Sequence, residues 1–323
     1  MSAVMRLAFV GEALIDFTAV NGLTFQGREG GALANSVIAA ARLGQPAGFI
    51  TQLSTDLFGE RLLTHLQTNG VDTRFVTRSA DASALAFVER AGEVNRYAFY
   101  IERTAGTWWA PSEIPALPDA CRWLYFGSIA LLYAPAGPHI ETLVAEARRA
   151  QRVCVFDPNV RPSLIADVDT YRTQAARWIS ACHLLKLSDE DLAVLSPGLS
   201  PADAAATYLA NGPCAVVVTH GAAGASLHRA GHAPLHITPP PVVVADTVGA
   251  GDTFGAALSV ALLEAGVERP QQLADLPTAA WLEAMTFAAT AAALNCANEG
   301  ADPPHRAALD ASLRASGAGA NLA

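Results

Sequence analysis

The stretch "ADTVGAGDTFGAAL", residues 245–258, sets the carboxylates Asp246 and Asp252 around Gly249, Ala250 and Gly251, directly before an apolar run of helical period. Such small residues accept tight backbone conformations and present successive N–H groups with no side chain in the way. N–H groups that open onto a helix N-terminus make a hole for an anion. An aspartate in the first turn of that helix can take a proton from a hydroxyl that attacks the held anion. It can equally be an acid that complements the helix dipole. A helix cap, however, needs neither two flanking glycines nor a second carboxylate at Asp246.

Other constellations are open to two readings. "GREGGALANSVIAAARLG" puts Gly30 and Gly31 before a second helix with Asn35 one turn inside. An amide there can hold a sugar hydroxyl, although glycines before helices are common. Asp16, expected at the end of the first strand, offers an acceptor for paired hydroxyls. "VCVFDPNVRPSL" ends a buried strand in Asp157, Asn159 and Arg161. Alternate positions share one side if the strand stays extended, yet Asp-Pro-Asn is also an ordinary turn. "KLSDEDL" ends another strand in Asp189, Glu190 and Asp191. Those acids can organise Mg²⁺ through water or form a solvated helix start. A P-loop needs a lysine after its glycines; the only lysine, Lys186, follows "LL", which excludes Walker-type chemistry. "GAAGAS", 221–226, lacks the start of a dinucleotide fingerprint. The stretch "THGAAGASLHRAGHAPLHI" reads instead as a strand, a glycine turn and a hairpin that can lie along a nucleotide's phosphates. His228, His232 and His236 recur every four residues, but Gly231 and Pro234 forbid the helix that would stack them on zinc.

The elements that must position these groups follow from composition and period. The chain has 323 residues, 51% of them hydrophobic, enough for a substantial buried core. A net charge of −9 and a single lysine leave no basic stripe for a nucleic acid. The apolar N-terminus is interrupted by Glu12 and Asp16 too early for a signal segment or spanning helix, so a cytoplasmic address and no membrane partner are expected. Five scattered cysteines without a C-x-x-C pair read as reduced core thiols. "RLAFVG", "AGFITQL", "RWLYFGS", "RVCVFDPN", "HLLKLS" and "CAVVVTHG" read as strands. They alternate with helices expected near 33–43, 56–69, 138–151, 170–180, 202–211, 250–265 and 281–295. This is the pattern of a wound, mostly parallel α/β sheet. Residues 83–106 break the rhythm as a hairpin turning at Ala91 to Asn95, and 14–28 also reads as extended. Together they can build a β-lid over the sheet's carboxyl edge, where open α/β folds bind ligands. No linker divides the chain, so one domain over 1–323 with two lid insertions is expected.

In this order, the stretches resemble the ribokinase or phosphofructokinase-B family of sugar kinases. "GGALANSVIAAARLG" continued by "DLFGERLLTHLQTNGVDT" resembles the family's N-terminal signature, and "DTVGAGDTFGAAL" its C-terminal one. "GEALIDF", "FDPNVRPSL", "KLSDEDL" and "NCANEGADPP" look most like bacterial fructokinases. The resemblance implies a ribokinase-like three-layer α/β/α fold with a β-lid and ATP-dependent transfer to a primary hydroxyl. It implies Asp252 as the base and Gly249, Ala250 and Gly251 as the anion hole. Asp16, Gly31 and Asn35 would hold sugar hydroxyls, with Arg161 near substrate or phosphate. Thr219, Gly221, Gly224 and Gly251 would meet the nucleotide phosphates, and Asn295 to Ala301 the far side of the nucleotide. Mg²⁺ would be served through water by Glu190 and Asp191, and a monovalent cation, K⁺, by Asp246. The family's Asn-x-x-Glu motif stands here as Ser188 to Asp191, and Asn298 and Glu299 replace a Thr-Arg type pair. D-Fructose is the first expected substrate and 2-keto-3-deoxygluconate the second, since Arg161 can face a carboxylate. A catalytically silent sugar-binding regulator is the non-enzyme alternative. An exposed lid sheet would offer an edge for a homodimer.

Overall fold

The computed structural model describes residues 4–91, 94–315 and 317. Thirteen strands are assigned: β1 (Leu7–Val10), β2 (Leu14–Asn21), β3 (Thr24–Gly30), β4 (Ala47–Ser54), β5 (Val76–Ser79), β6 (Ala84–Ala91), β7 (Val94–Tyr100), β8 (Trp123–Gly127), β9 (Val153–Asp157), β10 (Leu184–Ser188), β11 (Ala215–Thr219), β12 (Ala225–His228) and β13 (Leu235–Ile237). The helices are α1 (Ala32–Arg42), α2 (Leu57–Thr68), α3 (Ala136–Arg149), α4 (Val168–Ala181), α5 (Asp189–Leu195), α6 (Pro201–Leu209), α7 (Ala250–Glu264), α8 (Pro270–Ala274), α9 (Thr278–Cys296) and α10 (Arg306–Ala315).

The main sheet runs β13-β12-β11-β10-β9-β8-β1-β4-β5. β11 through β5 are parallel, while β12 and β13 close one edge antiparallel. Strands such as "WLYFG" and "VCVFD" are buried along their whole length, as parallel strands covered on both faces must be. Because side chains alternate across a strand, each strand feeds two cores. Leu7, Phe9, Trp123, Tyr125, Val153 and Val155 face α1, α2, α7, α9 and α10. Ala8, Val10, Leu124, Phe126, Cys154 and Phe156 face α3, α4 and α6. The result is the three-layer α/β/α architecture. A fully buried phenylalanine such as Phe9 contributes roughly 1.5–3 kcal/mol relative to exposure. Cys121, Cys154 and Cys182 are buried and all five cysteines are free thiols. Among the described residues no helix is long and apolar enough to cross a membrane.

The smaller sheet runs β3-β2-β6-β7, with β2 and β6 parallel and the two hairpins antiparallel. It comprises the two segments expected to form a lid, except that the second leaves the sheet after Tyr100. There Thr104 and Thr107 hydroxyls fold the chain back by donating to the Ile101 carbonyl, at 2.8 and 2.6 Å. Part of the expected turn, residues 92 and 93, lies outside the described residues. Phe17 stacks on Phe87 at 4.9 Å and meets Phe58 of α2 edge-on at 5.7 Å, which seats the lid on the body.

Asp16 is not at the end of the first strand, as expected from the sequence. β1 stops at Val10, and the turn at Gly11 to Ala13 redirects the chain into the lid, so Asp16 is the third residue of β2. The turn is anchored by buried Glu12, which accepts from Ser128 Oγ at 2.8 Å and Ala130 N–H at 3.1 Å. The three histidines share no helix, since Gly231 turns the chain between β12 and β13 with φ 74°.

Candidate active site

Residues from the carboxyl ends of the parallel strands and from the starts of α1 and α7 converge on Asp252. It is buried in the first turn of α7. Its Oδ2 accepts from Asn35 Nδ2 at 2.9 Å and its Oδ1 from Asn159 Nδ2 at 3.2 Å. Asn35 is placed by α1, whose N-cap is Gly31. Asn159 is placed by a break in the expected alternation: β9 ends at Asp157, and Asn159 adopts φ 41°, the left-handed region that asparagine tolerates. That break separates the three polar residues of "DPNVR". Asp157 turns to Lys186 at 2.9 Å, while Arg161 folds toward the carbonyls of Asn159 and Val160.

Burial pushes the Asp252 carboxyl up to about 6; Asn35's hydrogen bond opposes this, Asp157 adds to it, and the Lys186 and Arg161 charges oppose it. Half-buried Asp16 is likewise raised by burial to about 6, against the pull of Arg161 and with the push of Asp252. Glu12, raised mainly by burial to about 7, also feels Asp252. Burial thus raises all three carboxyls, and both Glu12 and Asp16 also feel the charge of Asp252. Glu12 carried no site signal in the sequence beyond being a lone acid in an apolar run. Asn159 was visible as one of three polar residues that share a strand face or form an ordinary turn, without a sign of its partner.

Gly249 is the N-cap of α7 with φ 74°, and Ala250 and Gly251 open the helix, the Ala250 N–H donating to the Thr247 carbonyl at 3.2 Å. The loop leading into it is held from behind. Asn295 is fully buried, donating to the Val248 carbonyl at 2.8 Å and accepting from Thr253 Oγ1 at 3.3 Å. It therefore supports the loop from below, which corrects its expected contact with nucleotide: no part of it is exposed. Asp246 Oδ1 accepts from Thr247 and Val248 N–H, and its Oδ2 accepts from Gly300 N–H at 3.1 Å, tying the loop to the turn after α9. Glu299 of that turn, one of the departures from the family pattern, receives Arg28 of lid strand β3 on its carbonyl at 2.7 Å and its carboxylate at 2.8 Å.

A Cβ on Gly249 would stand 2.6 Å from Ala301 Cβ and would need a left-handed alanine besides. Gly249→Ala is expected to cost roughly 1–3 kcal/mol and to weaken binding of a non-hydrolysable ATP analogue. Paired thermal melts and titration calorimetry check this, and unchanged values for both would mean that the loop relaxes freely.

The expected glycine turn after β11 is present. Thr219 ends β11, Gly221 begins a single 3-10 turn, and His220 N–H closes the turn on the Gly224 carbonyl at 2.8 Å. The three consecutive acids do not converge, because successive residues of a helix point different ways. Asp189 meets His220 Nδ1 at 2.8 Å. Asp191 is buried, accepting from Val160 N–H at 2.6 Å and from Ser188 N–H and Oγ in a capping box. Glu190 is exposed. The expected sharing of Mg²⁺ by Glu190 and Asp191 is thus not what the side chains present: Asp191 shapes the Asn159 loop and caps α5. Among the described residues no three His, Cys, Asp or Glu side chains gather as for a metal ion.

Comparison with known proteins agrees with this architecture. The family model described as pfkB family carbohydrate kinase matches residues 5–308. A fructokinase of Rhizobium leguminosarum bv. trifolii is 37% identical over 272 residues, 82% of each chain. An aminoimidazole riboside kinase of Salmonella typhimurium is 32% identical over 257 residues, 79% of this chain and 80% of that one. The solved fructokinase of Xylella fastidiosa with bound ATP superposes with a TM-score of 0.88 at 25% identity, covering 97% of this chain and 99% of that one. With a family match over nearly its whole length and these relatives, the chain belongs to the pfkB family of carbohydrate kinases.

Proposed function

We propose that this kinase moves the γ-phosphoryl group of ATP to the primary hydroxyl of a monosaccharide, D-fructose giving D-fructose 6-phosphate, with Asp252 as general base. The observation that carries the reading is Asp252 itself: a buried carboxyl clasped by Asn35 and Asn159, in the same first turn as the N–H groups that follow Gly249. Its clasp fixes the carboxylate while leaving lone pairs for the attacking hydroxyl. In this reading Asp16, on the lid, and Asn35, with the backbone at Gly31, hold the sugar hydroxyls. The Gly249 to Gly251 amides and the α7 dipole meet the charge that develops on the transferring group, since phosphoryl transfer rests on positioning and electrostatics. Closing the lid keeps out water that would otherwise compete as acceptor.

Magnesium would come in on the nucleotide phosphates and neutralise their charge. The exposed Glu190 can hold it through water, and with Asp191 committed to N–H groups the residues suit an ion bound chiefly by phosphates and solvent.

Fructose is favoured by the kinship to a fructokinase at 37% identity. The kinship to a riboside kinase makes aminoimidazole riboside the natural competitor. A coupled ADP-release assay over fructose, 2-keto-3-deoxygluconate, ribose and that riboside is expected to give fructose the highest kcat/KM. A higher value for another acceptor would reassign the substrate, and silence with every sugar would favour a binding protein.

A further inference from the structure

Lys186 is buried on β10, and its Nζ lies 2.9 Å from Asp157 Oδ2 at the end of neighbouring β9. Tyr125 donates to the same oxygen at 2.9 Å, while Oδ1 of Asp157 is buried with no hydrogen-bond partner. A Cβ built on Gly251 would stand 3.1 Å from Nζ. Gly251 has no left-handed backbone to explain its identity; the open side of its Cα is the space that the ammonium occupies. An ammonium has three N–H donors, and one is spent on Asp157. We propose that Lys186 is a positioning residue for phosphoryl transfer: its ammonium, seated between Asp157 and Gly251, is the fixed positive charge behind the amides that open α7.

The charges around it fit this role. Asp157 of β9, Asp191 of α5 and Asp252 of α7 all favour its charged form against burial, so it stays cationic at neutral pH. It in turn draws the Asp252 carboxyl down while Asp157 pushes it up. A buried cation beside a helix N-terminus acts where water does not screen it. It supplies, from a distant strand, the positive charge that a P-loop places directly after its glycines. The inference rests on the kinase reading above.

Lys186→Met alone leaves Asp157 buried and unpaired, which is strongly destabilising. The Lys186→Met/Asp157→Asn double variant neutralises both partners and is the main test, with folding checked by a cooperative melt and retained binding of an ATP analogue. At pH 9, where Asp252 is ionised in either protein, its kcat is expected to fall roughly tenfold or more, as for loss of one oxyanion-stabilising group, with the sugar KM within about twofold. The acid limb of its pH profile should stay near the native one, since opposed influences on Asp252 are removed together. Lys186→Met, if it folds, should shift that limb upward. If the double variant does not fold, Gly251→Ala replaces it: alanine favours the helix and its Cβ would meet Lys186 Nζ at 3.1 Å, so kcat should fall likewise while ATP-analogue binding, which reports on the anion loop that Gly251 belongs to, is retained. Wild-type kcat in the folded variant would reduce Lys186 to a counter-ion of Asp157 and overturn the inference. If Asp252→Asn also keeps its turnover, the kinase-site reading fails instead; if only the Lys186 variant does, that reading stands.

Discussion

Asp252→Asn is expected to lower kcat by at least about two orders of magnitude while ATP-analogue binding survives. An asparagine can occupy the same space between Asn35 and Asn159, with one amide reversed to keep its partner, but it cannot accept the proton of the attacking hydroxyl. General-base catalysis contributes roughly 10²–10⁴, and the anion hole is untouched. The native enzyme should lose activity as pH falls through about 6, because Asp252 acts in its ionised form. Asp16 near 6 and Glu12 near 7 titrate in the same window, so the acid limb belongs to the coupled set. Steady-state kinetics beside calorimetric nucleotide titration give the comparison. Turnover within a few-fold of the native value would remove Asp252 from this role.

The same substitution should stabilise the ligand-free protein at neutral pH. A carboxyl raised from 3.8 to about 6 by burial binds its proton more tightly folded than unfolded. Its favourable contribution is complete below 3.8 and is lost as pH rises through 6. Asparagine does not titrate, so its advantage over aspartate should grow between pH 4 and pH 8 by about 2.5 kcal/mol. All other ionisable groups are common to both proteins, and taking the difference between the two pH values also removes any fixed cost of the reversed amide. Urea unfolding at both pH values measures it. An advantage of equal size at pH 4 and pH 8 would mean that Asp252 titrates as an exposed acid does. Catalytic groups held at a cost to stability are a common pattern.

The main strands were legible because a buried parallel strand is a continuous apolar run: "LAFV", "WLYFG", "VCVFD" and "AVVVT" all stand where their composition places them. β5, "VTRS" with Thr77 exposed and the other three residues half-exposed, carries no such run and forms only because β4 presents an edge to it. α5 was one of two readings of its acids, a metal-organising strand end or a helix start, and the Ser188 capping box makes them a helix start. α8 is a single short turn with one buried residue, Leu273, too little for a period to show.

Local sequence alone determined the helix starts at Gly31 and Gly249, the acid placed one turn past the latter, and the alternation that makes a wound sheet, since each depends on neighbours within a few residues. Only the tertiary structure decided what surrounds that acid. Asn35 lies 217 positions from Asp252 and Asn159 lies 93 away, and both bond to it. Asn295 was drawn from the nucleotide's side to beneath the loop, and Asp191 from a metal to the Asn159 turn. Lys186, dismissed because no glycine precedes it, reaches the anion loop from β10 through the order of strands in the sheet. Burial raises the carboxyls of Glu12, Asp16 and Asp252, and burial is set by which distant segments cover a group, a quantity that spacing along the chain does not contain.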